Sequence, residues 1–562
     1  MREMLKSWFN YFVFVCFFGI FINLIYLAVP VYMVIVYDRV LFSFSQATLF
    51  TLSAGLFISL IVMGLLEYFR SKMLLQAGVD LEQKMYPFVL SSMYKDAISL
   101  NKQNYTRGLE DLKLLKDAII NYRILWLLDL PWVLLYLALL YFMHPMLGLV
   151  GISGVFVVSL FQTLLRVLVK KRYTTADVIF NKGSNFINTT LQNAELISEM
   201  GMLKGVLNRH EKFHQKVLAM QSEADSFKAG TGAVIGTLHV IFAVAVFGTG
   251  AYLFFDGKIT VGIMFASVVI ITRLFYPFQH SLASMKISIK TLAAYKRLEY
   301  FVDTKKQKKT LALPEPEGKL EAENIVLAIN GRNILHNISF SLEPGETLGI
   351  IGPSAAGKTS LCKVLLGIWP ALAGKVLLDG AEISQWSDDE LGKYVGYLPQ
   401  ETALFPGKVD ENISRLQKVD SDKIIKASQK AGVYDMILKL PQGYDTRIDN
   451  TGKNLSAGQR QLISLARALY DDPKVVVMDE PQSNLDDVGF RLLFMALNIL
   501  RKEKITTIFV TDKPNLLVNT DKLLLIKEGQ VAMFGPTKDV LNKLTNKQPQ
   551  ARTVINTQPL QQ

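Results

Sequence analysis

Two cysteines in 562 residues exclude a disulfide framework. Cys16 lies in an apolar run and Cys362 stands alone, and neither has neighbours at metal-ligand spacing, so both read as packing residues. Histidine is nearly as scarce, with six in the chain and none after His336. The cations form no single stripe, so a net charge of +12 does not indicate nucleic acid. Instead many flank apolar runs, as do Arg166, Lys170, Lys171 and Arg172, the pattern of cytoplasmic loops. No small-residue cleavage site follows the first apolar run, whose core is too long for a cleaved signal, so it reads as a retained helix. There is no internal repeat.

What the chain has in abundance is oil: half of it is hydrophobic. Apolar segments near the length that crosses a bilayer, about 20 residues, fall at roughly 9–37, 48–68, 122–142, 146–166, 232–255 and 259–281. The connections after the first, third and fifth are short ("DRVLFSFSQA", "HPM", "DGKI"). Those after the second and fourth, about 69–121 and 167–231, are long and charged. This alternation places both termini and both long loops in the cytoplasm. Helical periodicity, as in "LEDLKLLKDAIINYRIL", predicts that the long loops extend the membrane helices inward. Residues 1–303 thus read as a six-helix all-α membrane domain that contacts lipid.

A charged, proline-bearing linker follows at 304–318, "TKKQKKTLALPEPEG". From 319 to 544 β-branched strands alternate with helical stretches, the mark of an α/β domain. The polar, Gln-rich end, 545–562, predicts disorder.

Within the α/β half, "GPSAAGKTS" runs from Gly352 through Pro353, Ser354, Ala355, Ala356, Gly357, Lys358 and Thr359 to Ser360. It matches the phosphate-loop pattern G-x-x-x-x-G-K-[ST], between an apolar strand ("TLGII") and a helix ("TSLCKVLLGI"). Backbone N–H groups of such a turn point at phosphate oxygens. Lys358 supplies a point charge to the β- and γ-phosphates, and the Thr359 hydroxyl suits Mg²⁺. Further on, "KVVVMDEP" is a buried strand ending in two acids. Asp479 is placed to reach the Mg²⁺ shell, and Glu480 to accept a proton from the water attacking the γ-phosphate.

Between these stands "NLSAGQRQLISLARAL", in which Leu455 to Gln459 resembles the signature of ABC transporter ATPases. Gln400 in "YLPQ" resembles the Q-loop and Ser483 to Asp486 ("SNLD") the D-loop. The resemblance implies a membrane all-α exporter domain fused to a cytoplasmic α/β P-loop ATPase that binds ATP with Mg²⁺. It implies a head-to-tail homodimer in which Ser456, Gly458 and Gln459 of one copy close on the ATP of the other, beside Asp486. Gln400 then joins Thr359 and Asp479 at Mg²⁺ and Glu480 in catalysis.

The membrane half narrows the likeness. "AVPVYMVIVYDRVL" (28–41), "LLDLPWVLLYLALLYFMHPMLGL" (127–149), "NAELISEMGM" (193–202) and "ITVGIMFASVVIITRLFYPF" (259–278) resemble type I secretion ATPases that export alkaline proteases and other RTX-type proteins. "LPQETALFPGKVDENI" and "DEPQSNLD" share that character, and the likeness runs from about Ala28 to Leu541. It implies a multi-pass protein of a bacterial inner membrane that works with a periplasmic adaptor and an outer-membrane channel. The cargo would be an unfolded protein with a C-terminal signal. The chain enters its first membrane helix almost at once, so no N-terminal peptidase-like domain is expected.

Two departures from the family pattern carry chemistry. The switch histidine expected after "TTIFV" is Asp512, in "VTDKPNLL". A histidine donates a hydrogen bond to the γ-phosphate, whereas an ionised aspartate only accepts. Like charges about 4 Å apart repel by roughly 4 kcal/mol at an effective dielectric near 20. Protonation, a turn toward solvent, or substitution by Lys513 would each relieve this. Secondly, "IVLAINGRNIL" (325–335) offers no aromatic for adenine, with Ile329 or Arg332 nearest the expected place. Ala457 for the usual glycine is minor.

In the membrane half, Arg273 sits inside an apolar segment, where it either lines the translocation path or is a snorkelling structural residue. Asp129 before Leu130-Pro131 reads as a helix start or a kink rather than a proton relay. His144 lies in a tight loop without a metal-spaced partner. Short helices near 85–115 and 190–215 are expected to dock on the ATPase half. Alternatives stay open: a lipid or drug exporter, a catalytically weak ATP-binding subunit, or a heterodimer whose partner supplies a histidine.

Overall fold

The computed structural model describes residues 2–98, 107–120, 125–304, 313–449, 452 and 454–546. The expected disordered end, from 547 on, lies outside the described residues, as do 305–312 of the linker. The chain divides into two compact units, one of residues 1–95 and 104–306 and the other of 96–103 and 307–562.

The described residues of the first unit form helices joined by short turns. Helices Gln46–Ile98, Pro145–Gln192 and Leu203–Phe255 have 53, 48 and 53 residues, far beyond the roughly 20 that cross a bilayer. They therefore run on well past the apolar spans without interruption. Among the described residues, five apolar helices are long enough to cross a membrane, and a sixth apolar stretch, Leu128–Met143, is shorter. The protein is multi-pass.

The first span differs from expectation. "DRVLFS" is not a loop: helix Arg2–Tyr26 is followed by Ala28–Ile35, a π-turn at Val36–Val40 and Leu41–Ser43. The turn falls at Phe44, in a left-handed conformation with φ 50°. The π-turn carries Asp38, whose carboxylate accepts from Gly262 N at 2.7 Å and from the Thr260 hydroxyl. It thereby satisfies donors at the N-terminus of helix Val261–Leu274. A Cβ on Gly262 would stand 2.7 Å from the Val34 backbone, so only glycine admits this approach. Tyr37 stacks on Phe265 at 4.3 Å, closing the same contact.

Several polar groups inside the oil have partners, because an unpaired one is costly there. Pro131 lies within helix Leu125–Met143, so Asp129 is not a helix start. Its carboxylate instead meets Arg70 at 3.5 Å, both side chains less than a tenth exposed. Tyr136 donates to Asn23 at 3.0 Å, and Asn23 to the Gly19 carbonyl at 2.9 Å. The Arg273 guanidinium lies 4.4 Å from the ring centres of both Tyr26 and Tyr276. Asn23 and Tyr26 therefore tie one face of the first helix to two others. Beyond the spans, Arg172 pairs with Glu223 at 2.9 Å, Tyr173 donates to Asp225 at 2.6 Å, and Lys290 pairs with Asp177 at 2.8 Å. These join three long helices. His144 caps helix Pro145–Gln192, its Nδ1 accepting from Met146 N. A six-residue helix, Ala194–Glu199, lies where a docking element was expected; of the other such region, 99–106 is outside the described residues.

The second unit holds twelve strands among the described residues: β1 (Leu320–Ile329), β2 (Arg332–Leu342), β3 (Thr347–Ile351), β4 (Ala373–Leu378), β5 (Ala381–Glu382), β6 (Val395–Leu398), β7 (Gly407–Lys408), β8 (Arg447–Ile448), β9 (Val475–Asp479), β10 (Thr506–Val510), β11 (Lys522–Lys527) and β12 (Gln530–Pro536). The main sheet runs β12-β11-β3-β10-β9-β6, and a second, antiparallel sheet runs β2-β1-β4-β5. In the main sheet β11, β3, β10, β9 and β6 are parallel. Both faces of β9 and β10 are buried, which is why "VVVM" reads as an unbroken apolar run and "TTIFV" as a β-branched and aromatic one. Arg415 secures the helix Ala457–Ala468 by donating to the carbonyls of Arg467, Ala468 and Tyr470 at its C-terminal end.

Truncating one member of a buried ion pair leaves the other charged and unpaired, at a cost of about 3–5 kcal/mol. Asp129→Ala is therefore expected to lower the thermal unfolding midpoint of the purified protein markedly. Arg70→Met combined with Asp129→Leu should recover most of the loss, read by intrinsic tryptophan fluorescence.

Candidate nucleotide site

Parallel strands end on one edge of a sheet, and the loops beyond them form the crevice where ligands sit in open α/β folds. Here the edge collects the phosphate loop after β3, Gln400 after β6, Asp479 and Glu480 at β9, and Asp512 after β10. The register fixes their spacing: Asp479 lies opposite Val510, Glu480 N donates to Val510 O at 3.1 Å, and Thr511 N to Ile350 O at 3.2 Å.

The phosphate loop takes its shape from three residues with positive φ. Gly352 (φ 155°) could not carry a Cβ, which would fall 2.2 Å from the Ile526 carbonyl. Ala355 (φ 62°) is left-handed despite its side chain, and Gly357 (φ 99°) opens helix Lys358–Leu365. Such a run turns successive N–H groups to one side, as an anion nest requires. Ala356 is buried behind the loop, while Pro353 and Ser354 are exposed on it. Lys358 Nζ crosses the loop, donating to the Gly352 and Pro353 carbonyls at 2.8 and 2.9 Å. Thr359 and Ser360 follow in the first turn of the helix.

Asp479 is fully buried, and neither carboxylate oxygen accepts a hydrogen bond of normal geometry among the described residues. Burial pushes its pKa above the usual carboxylate range; the facing Thr359 hydroxyl opposes this, and the Glu480 charge adds to it. Two unsatisfied buried oxygens beside a hydroxyl are what a hard cation would complete. Cys362, buried one turn into the same helix, has its thiol pushed well up by burial and by Asp479, so it is an inert packing group.

Gln400 and Glu480 come together, Gln400 Nε2 donating to Glu480 Oε2 at 2.9 Å. Glu480 has a left-handed backbone (φ 49°), which turns the chain off the strand at this carboxylate. Asp512 is exposed, and its Oδ1 accepts from Gln482 Nε2 at 3.1 Å.

Other expected site residues have local partners. Ser456 caps helix Ala457–Ala468 in a reciprocal box with Gln459: Gln459 N donates to Ser456 Oγ at 3.1 Å, and Ser456 N to Gln459 Oε1 at 2.8 Å. Asp486 caps helix Asp487–Lys502 through Gly489 N at 2.8 Å. The Gln459 and Asp486 side chains are thus engaged in capping, a pattern legible in S-x-x-Q at Ser456. Gly458 lies in the first turn, 3.2 Å from the Asn484 carbonyl measured from where a Cβ would stand. Ile329 and Arg332 flank a tight Asn330-Gly331 turn joining β1 to β2.

Two residues escaped sequence reasoning. Gln461, 1% exposed, donates to the Pro481 carbonyl at 3.0 Å and accepts from Asn484 and Thr402 at 3.3 and 3.4 Å. It connects the signature helix to the segments that follow Gln400 and Glu480. Gln482 is the other. Neither contact is local, and no spacing rule points to it.

Residues 335–483 match the family described as ABC transporter, and 12–278 match the ABC transporter transmembrane region. The chain is 32% identical, over 94% of its length and 91% of the relative's, to the type I secretion system ATP-binding protein PrsD of Rhizobium meliloti. It belongs to the ABC transporters, in the type I secretion permease–ATPase family. A multidrug export ATP-binding/permease protein of Staphylococcus aureus is 25% identical over 78% of this chain and 77% of its own. A bacterial Atm1-family ABC exporter solved with ATP bound shares the fold, with a TM-score of 0.81 over 96% of each chain at 19% identity. The protein is therefore a membrane-spanning helical domain joined to an ABC ATPase.

Because Asp479 ionises with difficulty in the fold, its contribution to stability is greatest below the usual carboxylate pKa. That contribution falls as pH rises through the raised value. Asp479→Asn should accordingly leave the nucleotide-free unfolding midpoint at pH 8 no lower than before. It should abolish the rise that Mg·ATP produces, measured by thermal shift with and without the nucleotide.

Proposed function

We propose that this chain is an ATP-driven exporter of unfolded polypeptides in a type I secretion system of a bacterial inner membrane. The observation that carries the engine is the joint placement of the phosphate loop, the unsatisfied Asp479 and the Gln400–Glu480 pair on one sheet edge. The relation to PrsD over nearly the whole chain supports the cargo class.

In this reading the N–H groups from Gly352 to Ser360 cradle the phosphates of ATP, and Lys358 leaves its loop carbonyls to meet the β- and γ-oxygens. Thr359, Asp479 and Gln400 would hold Mg²⁺, which neutralises charge developing on the phosphates. Glu480 orients the attacking water and takes its proton, with Gln400 holding the carboxylate until then. Two copies associate head to tail, so that the N-terminal turn at Ser456 and Gly458 of one faces the γ-phosphate held by the other. Closure of this sandwich changes which side of the membrane the helices open to, and hydrolysis resets it. A periplasmic adaptor and an outer-membrane channel complete the route, and the ATPase half is cytoplasmic.

Asp512 favours a slow cycle. It puts an acceptor where the family places a donor, and the repulsion estimated above at roughly 4 kcal/mol acts against a bound γ-phosphate. The same residue supports a second reading, an ATP-binding subunit with little turnover of its own.

Lys358→Ala is expected to reduce ATP turnover of the purified protein at least 100-fold, about 2.7 kcal/mol. Glu480→Gln should trap a Mg·ATP-dependent dimer, detectable by size exclusion. Asp512→His should raise turnover about tenfold or more. Stimulation by a C-terminal cargo peptide would support polypeptide export; stimulation by phospholipid alone would turn the assignment toward lipid.

A further inference from the structure

Gln482 has no part in the cycle set out above, yet it is 8% exposed and is the residue that holds Asp512. Its Nε2 donates to Asp512 Oδ1 at 3.1 Å, while its own Oε1 is buried without a partner among the described residues. A buried amide that leaves its oxygen unsatisfied and still spends its donor on an exposed carboxylate is there for the carboxylate. The base on which it stands is firm. The preceding Pro481 carbonyl is bonded to Gln461, itself 1% exposed. Asp512, by contrast, is exposed and makes no ion pair among the described residues. It follows Thr511, whose N–H bonds to Ile350 at the foot of the phosphate loop.

We propose that Gln482 is a positioning residue that tethers the Asp512 carboxylate on the side of the segment Ser483–Asp486, away from the γ-phosphate. The tether lets a chain with an acid at the switch position still clasp ATP. The proposal rests on the ATPase reading of this site. Moving a like charge from about 4 to about 8 Å halves its Coulomb repulsion before any screening. A neutral amide does this without placing a second cation beside Mg²⁺, and a hydrogen bond to an ionised acceptor is stronger than one between neutral groups.

The penalty that Gln482 relieves exists only with a γ-phosphate, so ATP and ADP separate a positioning role from a structural one. Full-length protein carrying Glu480→Gln, which removes turnover, is titrated with Mg·ATP and Mg·ADP by competition against a fluorescent nucleotide. Adding Gln482→Leu is expected to weaken ATP at least tenfold and ADP less than twofold. With Asp512→Asn also present, Gln482→Leu should cost neither nucleotide anything. Equal losses for ATP and ADP, or a loss that persists beside Asp512→Asn, would show that Gln482 only supports the fold and would overturn the proposal. No change in either affinity would overturn it as well, with the ATPase reading intact. A Glu480→Gln protein that binds neither nucleotide would remove the ATPase reading and this proposal together. Unfolding midpoints measured on the same samples identify any variant that has lost its fold.

Discussion

Hydrogen bonds between parallel strands set the spacing of every group around the phosphate loop. β3, β6, β9 and β10 end on the same edge, and each delivers one element there: the loop, Gln400, the Asp479–Glu480 pair and Asp512. A strand slipped by one residue would turn its end group to the opposite face. The buried apolar faces of β9 and β10 prevent this, because slippage would disturb the packing of the whole strand. The core that holds the sheet together therefore also aligns the chemistry.

The site carries its own tension. Asp479 lies in the sheet with both oxygens unsatisfied, Glu480 and Ala355 occupy left-handed backbone, and Asp512 brings a further negative charge. Each is unfavourable for the fold alone, by an amount of order 1–3 kcal/mol for a strained backbone position. Functional sites are where such costs collect, offset by the surrounding core. Glutamine is the recurring answer: Gln400 holds Glu480, Gln482 holds Asp512, and Gln461 fixes the segment between them. A neutral amide can hold a carboxylate without cancelling its charge.

The membrane half solves a different problem with the same economy. Every polar side chain described above as lying in the oil has a partner on another helix or on its own backbone: Asp129 with Arg70, Tyr136 with Asn23, Arg273 with two tyrosines, Asp38 with the end of another helix. The helices run far past the bilayer's thickness and are laced there by ion pairs such as Arg172–Glu223 and Lys290–Asp177. Long rigid helices of this kind suit a device that must carry motion over distance.

Much of this was legible along the chain, because the information was local. The glycine turn between strand and helix, the acid-ended apolar strand and the signature segment each declare themselves within about fifteen residues, and hydropathy alone marks the spans. Where expectation and structure part, non-local packing is the reason. "DRVLFS" is helical because Asp38 is needed 224 residues away at Gly262. Asp129 sits within a helix because Arg70 is there to receive it. Sequence alone determined the kind of machine, since hydrophobic periodicity and phosphate-binding glycines are properties of short stretches. Tertiary structure decided which side chain answers which, such as Gln482 to Asp512. That choice depends on how close the ends of separate strands are brought, and only the folded sheet sets it.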